Sequence, residues 1–285
     1  KKIICPTDFT ECAENAIHYA YELAKIMGAG LTLVHVFDMP YFENEEEKRD
    51  WLENTEKDVE KVKNELELTC RRMTGLNPEL KIEYLIRKGL AINEIPLMVE
   101  SQKADLIVIG TKGADGFRET LGTVAAGIIE KTNCPALIIP EMARFNMPKN
   151  LVYATDLDGE ESSGIEFTVG LASYFNAHVS FLSIKEEGKQ VDVASAAEYA
   201  FNNLLNKLEY ENLSFHMNEA NHALEGIFDF VDRRRVDLIV MATYERTALE
   251  RLFEKSLTKQ MAYRANIPVL AVHKSKTKVS VPEKV

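Results

Sequence analysis

Positive charge is the scarcer sign in this 285-residue chain: 34 Lys and Arg face 45 Asp and Glu, a formal net charge of −11. Proteins whose main task is gripping nucleic-acid phosphates need the opposite balance, so the charge argues against that class while a local basic pocket stays compatible. Cysteine is sparse too. Cys5, Cys12, Cys70 and Cys134 show no Cys-x-x-Cys spacing and are too few to staple so long a chain, which points to a reducing compartment. Cys5 and Cys134 fall in apolar strand-like runs and read as packing residues. No run of 18 apolar residues occurs, and the opening KKIICPTDFT turns polar after two isoleucines. The expectation is therefore no membrane span, no secretory signal and a cytoplasmic location. With 14 Gly, 9 Pro and 46% hydrophobic residues, the composition excludes collagen-like, low-complexity and wholly disordered chains and leaves a globular one.

Catalytic signatures are missing as well. The six histidines, His18, His35, His178, His216, His222 and His273, are scattered, and no nucleophile, base and orienting acid assemble from spacing. His216 and His222 flank Glu219, but that gap in a polar strand-to-loop region is a poor ligand signature, so no metal site is expected. Neither the P-loop pattern nor Gly-x-Ser-x-Gly appears, which disfavours a P-loop kinase and an α/β-hydrolase.

What is present is a repeat. The length already favours two domains, and the segment Lys1 to Phe37 has a counterpart in Lys149 to Lys185. A constant offset of 148 places Thr7 over Thr155, Asp8 over Asp156, Ala29 over Ala177 and Val36 over Ile184. ADLIVIG, ending at Gly110, matches VDLIVMA, ending at Ala242, at an offset of 132, so the first copy carries 16 more residues between the two matches. NCPALIIP, ending at Pro140, then answers NIPVLAV, ending at Val272. The domains are expected at 1–142 and 148–273, joined near PEMARFNMPKN, with 274–285 as a flexible C-terminal tail.

Each copy alternates strand and helix. In the first, IICPT is an apolar strand, ECAENAIHYAYELAKIMG an amphipathic helix ending at Gly28, and LTLVHVF a second strand. Glu45 to Met73 reads as a long charged helix with an apolar stripe of Trp51, Leu52, Val59, Val62, Leu66 and Leu68. Its charges most simply form a solvated face, the sharper alternative being a partner-binding helix. KIEYLIRKG is a third strand, INEIPLMVESQK a helix despite Pro96, DLIVIG a fourth strand and PALIIP a fifth. Continuous Val/Ile/Leu strands alternating with helices imply an α/β fold: two doubly wound, mostly parallel five-stranded sheets.

In such a sheet a ligand lies beyond the carboxyl ends of the strands, where the connections change direction. Pro6, Thr7 and Asp8 end the first strand and Val36 the second. After the fourth comes GTKGADGFRETLGTVAAGIIEK, whose glycines let backbone N–H groups approach an anion ahead of a helix N-terminus. Glycines serve turns and helix packing equally well, and Asp8 or Thr10 also suits a helix N-cap, with Asp156 or Asp158 repeating that pattern.

These residues resemble the universal stress protein family, in a tandem arrangement over nearly the whole chain. The resemblance rests on Pro6 to Asp8, the apolar run ending in His35 and Val36, DLIVIG, and the glycine loop followed by Cys134 and Pro135. It implies a Rossmann-like fold of the adenine nucleotide alpha hydrolase type, an internal pseudo-dimer or a homodimer, and a stress-response regulator. ATP-binding members carry G-x2-G-x9-G-[S/T]. On that pattern Pro6, Thr7, Asp8 and Val36 would contact the adenosine, and Gly110, Gly113, Gly122, Thr123 and Val124 the ribose and phosphates, with ATP or another adenine nucleotide, accompanied by Mg, as the cofactor. Eight residues, Ala114 to Leu121, separate Gly113 from Gly122 where the pattern has nine. In the second copy Ala242, Glu245 and Lys255 replace the three glycines, followed by Ser256, so that copy reads as structural and Asp156 as a cap. No catalytic residue is assigned, and any ATP hydrolysis is expected to be slow. The alternative is an interaction scaffold without nucleotide, or a sensor of another small molecule.

Overall fold

The first strand, β1 (Lys2–Pro6), buries Ile3, Ile4 and Cys5 completely, as a strand covered on both faces must. The structure is a computed structural model that describes residues 1–111, 122–157, 161–186, 201, 203, 205, 208–242 and 266–273. Two units make up the chain, Lys1–Phe145 and Asn146–Val285.

In the first unit, α1 (Glu11–Met27) starts because Thr10 accepts the Ala13 N–H. It stops because Gly28 adopts φ 59°, a left-handed conformation that suits glycine, and returns its N–H to the Ala24 carbonyl. β2 (Gly30–Asp38) follows, then α2 (Glu45–Leu76), β3 (Ile82–Gly89), α3 (Ala91–Gln102), β4 (Leu106–Gly110), α4 (Thr123–Lys131) and β5 (Ala136–Ile139). The strands are all parallel, in the order β3-β2-β1-β4-β5. Chain order therefore reverses between β1 and β4. Right-handed crossovers put α1 and α2 on one face and α3 and α4 on the other. Accordingly, the Tyr21 hydroxyl of α1 donates to the Met73 carbonyl of α2, while α3 packs against α4.

Helix α2 departs from its expected stripe. Its buried residues are Thr55, Leu66, Thr69, Cys70 and Met73, and Leu68 is 69% exposed. Positions 66, 69, 70 and 73 follow the helical repeat, whereas position 68 turns to the opposite side. Exposed i,i+3 pairs, Lys61 with Asp58 and Lys63 with Glu60, line the outer face; such pairs contribute little individually. The segment PEMARFNMPKN is also less of a linker than its sequence suggests. The Asn15 amide of α1 donates to the carbonyls of Pro140 (3.0 Å) and Ala143 (2.7 Å), and the Tyr19 hydroxyl to that of Arg144 (2.8 Å). The Phe145 ring then packs edge-on against Tyr19.

The second unit comprises β6 (Asn150–Ala154), α5 (Ser162–Phe175), β7 (His178–Glu186), β8 (Leu213–Ala220), α6 (Ala223–Arg234), β9 (Leu238–Ala242) and β10 (Val269–Val272). Its strand order is β8-β7-β6-β9-β10, all parallel, the same winding as in the first unit.

Candidate functional site

In an open parallel sheet the reversal between β1 and β4 sets the ligand crevice at their carboxyl ends, and strand register decides which residues face it. Ile4 pairs with Ile107, so three steps on along each strand Thr7 is level with Gly110. Pro6 pairs with Val34, so two steps on Asp8 is level with Val36. Continuing the register past the last paired residues thus sets Thr7, Asp8, Val36 and Gly110 at the carboxyl ends of neighbouring strands. Pro6 and Thr7 are buried, while Asp8 and Val36 are half-buried.

The turn after β1 is internally braced. The Thr7 N–H donates to the Val34 carbonyl (2.8 Å), and the Thr7 hydroxyl oxygen accepts the Phe9 N–H (3.1 Å). Asp8 Oδ1 accepts both the N–H (3.1 Å) and the hydroxyl (2.6 Å) of Thr10. Thr10 therefore caps α1, and Asp8 holds the cap. Among the described residues, no hydrogen bond engages Asp8 Oδ2. Phe9 stands at φ 63°, a strained region for a residue with a side chain, costing on the order of 1–2 kcal/mol. Its ring lies 5.0 Å from that of His35, which in turn lies 4.7 Å from Phe37. His35 Nδ1 is anchored 2.8 Å from the Thr7 carbonyl. This aromatic row went unforeseen; the spacing of His35 and Phe37 signals a shared face, but nothing local signals the conformation of Phe9.

On the other wall, Gly110 ends β4 beneath α1. A Cβ placed there would fall 2.8 Å from Cys12 Sγ, 3.1 Å from the Cys12 carbonyl oxygen and 3.2 Å from its carbon. Close helix packing thus accounts for this glycine. Gly127 has a similar reason, since a Cβ there would meet the Ile92 side chain. Gly113 lies outside the described residues. Gly122 occupies the N-cap position of α4 with no side chain to cap it, and its own N–H donates to the Thr111 carbonyl (2.7 Å). Thr123 opens α4, and Val124 in its first turn is 42% exposed. The free N–H groups of that turn form a positive end suited to an anion.

The second unit repeats the turn but not the chemistry. Thr155 accepts the Leu157 N–H (3.0 Å), and Leu157 adopts φ 62°, matching Phe9. The Thr155 hydroxyl, however, donates to the carboxylate of Glu161, which is 3% exposed and stands where the repeat has Ala13. Glu161 rather than Asp156 also holds the N-cap position of α5, and Asp158, the other cap candidate, lies outside the described residues. Ala242 ends β9 where the first unit has Gly110, and Glu245, Lys255 and Ser256 lie outside the described residues.

The sequence model of the universal stress protein family matches residues 1–140 and 147–273. Universal stress protein MJ0577 of Methanocaldococcus jannaschii is 31% identical over 156 residues, covering 49% of this chain and 94% of that protein. Universal stress protein MJ0531 of the same organism is 32% identical over 142 residues, covering 49% and 81%. Among solved structures, a universal stress protein from Archaeoglobus fulgidus covers 95% of this chain and 98% of its own, with a TM-score of 0.71 at 15% identity, a likeness of fold.

Proposed function

The chain belongs to the universal stress protein family, and on that premise we propose that it is a stress-response regulator whose first unit binds an adenine nucleotide. The carrying observation is the place of Thr7 and Asp8, just past the end of β1 at the β1/β4 reversal, where Asp8 Oδ2 is left without a hydrogen bond among the described residues. In this reading Asp8 holds the adenine amine or a ribose hydroxyl, and Val36 covers the base. The glycine loop and the first turn of α4 take the phosphates, with Gly110, Gly113, Gly122, Thr123 and Val124 as the contacts. ATP, accompanied by Mg, is the favoured ligand. The chain's own groups bind and orient it. The second unit, with Glu161 in the corresponding place, acts as a structural partner. The domain limits that go with this reading are 1–142 and 148–273.

Native mass spectrometry of the freshly purified protein, followed by denaturing extraction, tests this. The expected result is one adenine nucleotide per chain, lost on Asp8→Ala and kept on Asp156→Ala. Neither copurifying nucleotide nor a thermal shift with millimolar ATP would overturn the reading. The eight-residue spacing before Gly122 favours the second reading, a scaffold without nucleotide, and that negative result would select it.

A further inference from the structure

A second cluster lies in the other unit, far along the sequence from the crevice. Strand β8 is the last of its sheet and pairs with β7. Ile184 and Ala220 both approach Gly226 of α6, so the even-numbered residues of β7 and β8 face that helix. Four of the polar ones, His178, Ser180, Ser214 and His216, cluster together. His178 Nε2 lies 2.7 Å from Ser214 Oγ, His216 Nε2 lies 2.9 Å from the same oxygen, and Ser180 Oγ lies 3.3 Å away. Helix α6 covers them: the Phe230 ring is 5.0 Å from His216, with the Arg234 guanidinium 5.7 Å from the centre of that ring. One hydroxyl proton satisfies one imidazole, so the second ring donates its own Nε2–H to Ser214. Two neutral rings in opposite tautomers therefore complete the set.

We propose that His178, Ser214 and His216 form an acid-sensitive latch that holds the β8 edge against β7 and α6 while both rings are neutral and releases it when both are protonated. Ser214 Oγ accepts from two imidazole N–H groups once its proton turns to Ser180, so a first proton is tolerated. The second sets two imidazolium rings across one hydroxyl beside Arg234. No described carboxylate offsets them. Glu225, Asp229, Asp232, Arg233 and Arg235 are on the exposed side of α6 or beyond its end, and His222 is exposed at its start. Asp237 accepts the N–H groups of Lys149 and Asn150, and Glu186, at the far end of β7, accepts the Ala223 N–H. Lys185 and Glu219 pair with each other on the opposite face.

Burial first, and the Arg234 charge second, lower both rings below the ordinary value of 6.5, with His178 adding to the effect on His216. The unfolded edge binds protons more tightly than the latched one. The latch's contribution is thus complete above about pH 6.5 and is lost as pH falls below it through the depressed folded values.

The test is hydrogen exchange by mass spectrometry on the nucleotide-free full chain from pH 7.5 to 5.0, corrected for intrinsic exchange. This keeps it independent of the nucleotide reading. Amides of β8 and α6 are expected to lose protection on acidification, their opening constant rising by up to about 100-fold per pH unit where two protons are taken up. Amides of β1 and β4 are expected to keep theirs. His178→Gln with His216→Gln abolishes the response, whereas His273→Gln leaves it. An unchanged response in the double variant overturns the latch. Should that variant not fold, NMR titration of the wild-type imidazoles decides: either ring titrating at or above 6.5 overturns it, and both titrating below supports it.

Discussion

Gly110→Ala separates the two reasons for a glycine at the end of β4. If the glycine exists for helix packing, the new methyl group meets Cys12 Sγ at 2.8 Å and the Cys12 backbone at 3.1 and 3.2 Å. The thiol can rotate, but the backbone atoms belong to α1, fixed by the Thr10 cap and by Ala16, Ala20 and Ala24, all fully buried. Overpacking of this kind costs about 1–3 kcal/mol. Restricting glycine's unfolded freedom returns about 0.5–1 kcal/mol, leaving a net loss of up to about 2.5 kcal/mol, centred near about 1 kcal/mol. For a unit of this size that is a fall in Tm of roughly 3–8 °C, read by differential scanning calorimetry without nucleotide. Cys12→Ala in the same chain removes only the 2.8 Å contact, so the double variant regains part of the loss, with a coupling of about 0.5–1 kcal/mol. A variant with unchanged Tm and no coupling would refute the packing account. If nucleotide binding alone were then lost, the glycine would serve the ligand instead.

Thr10→Ala removes the α1 cap and the hydroxyl donor to Asp8 Oδ1 together, leaving the backbone N–H donor in place; a loss of about 1 kcal/mol in urea unfolding is expected, with Thr10→Ser close to wild type, and an unaffected midpoint would contradict the cap. Burial pushes the Cys134 thiol up to about 12 and that of Cys70 up to about 11. Both should resist a disulfide reagent at pH 8 until denaturant is added, and prompt labelling of either in the native protein would count against that burial.

The fold was largely legible because hydrophobic periodicity is a local property. Runs such as IICP and LIVIG are apolar at every position, which only a strand covered on both faces tolerates. Leu68 departs from the stripe because it lies two residues from Leu66, about 200° around the helix and so on the opposite face. The site was half legible: Asp8 and Gly110 were identified by their places at strand ends. Their distinct burdens, bracing a cap and admitting Cys12, depend on contacts between elements far apart in the chain.

The sequence by itself determined that the chain is two copies of one α/β unit, since a repeat and its strand-helix alternation are written in residue order. It also determined that only the first copy keeps the glycines. Tertiary structure alone decided the rest. Parallel pairing made Asp8 level with Val36 and Thr7 level with Gly110, and folding brought Glu161 under Thr155. It also joined His178 and His216 through Ser214, on strands separated by 26 residues of chain between Glu186 and Leu213. Such convergence is set by strand register and helix packing, which no local run of residues encodes.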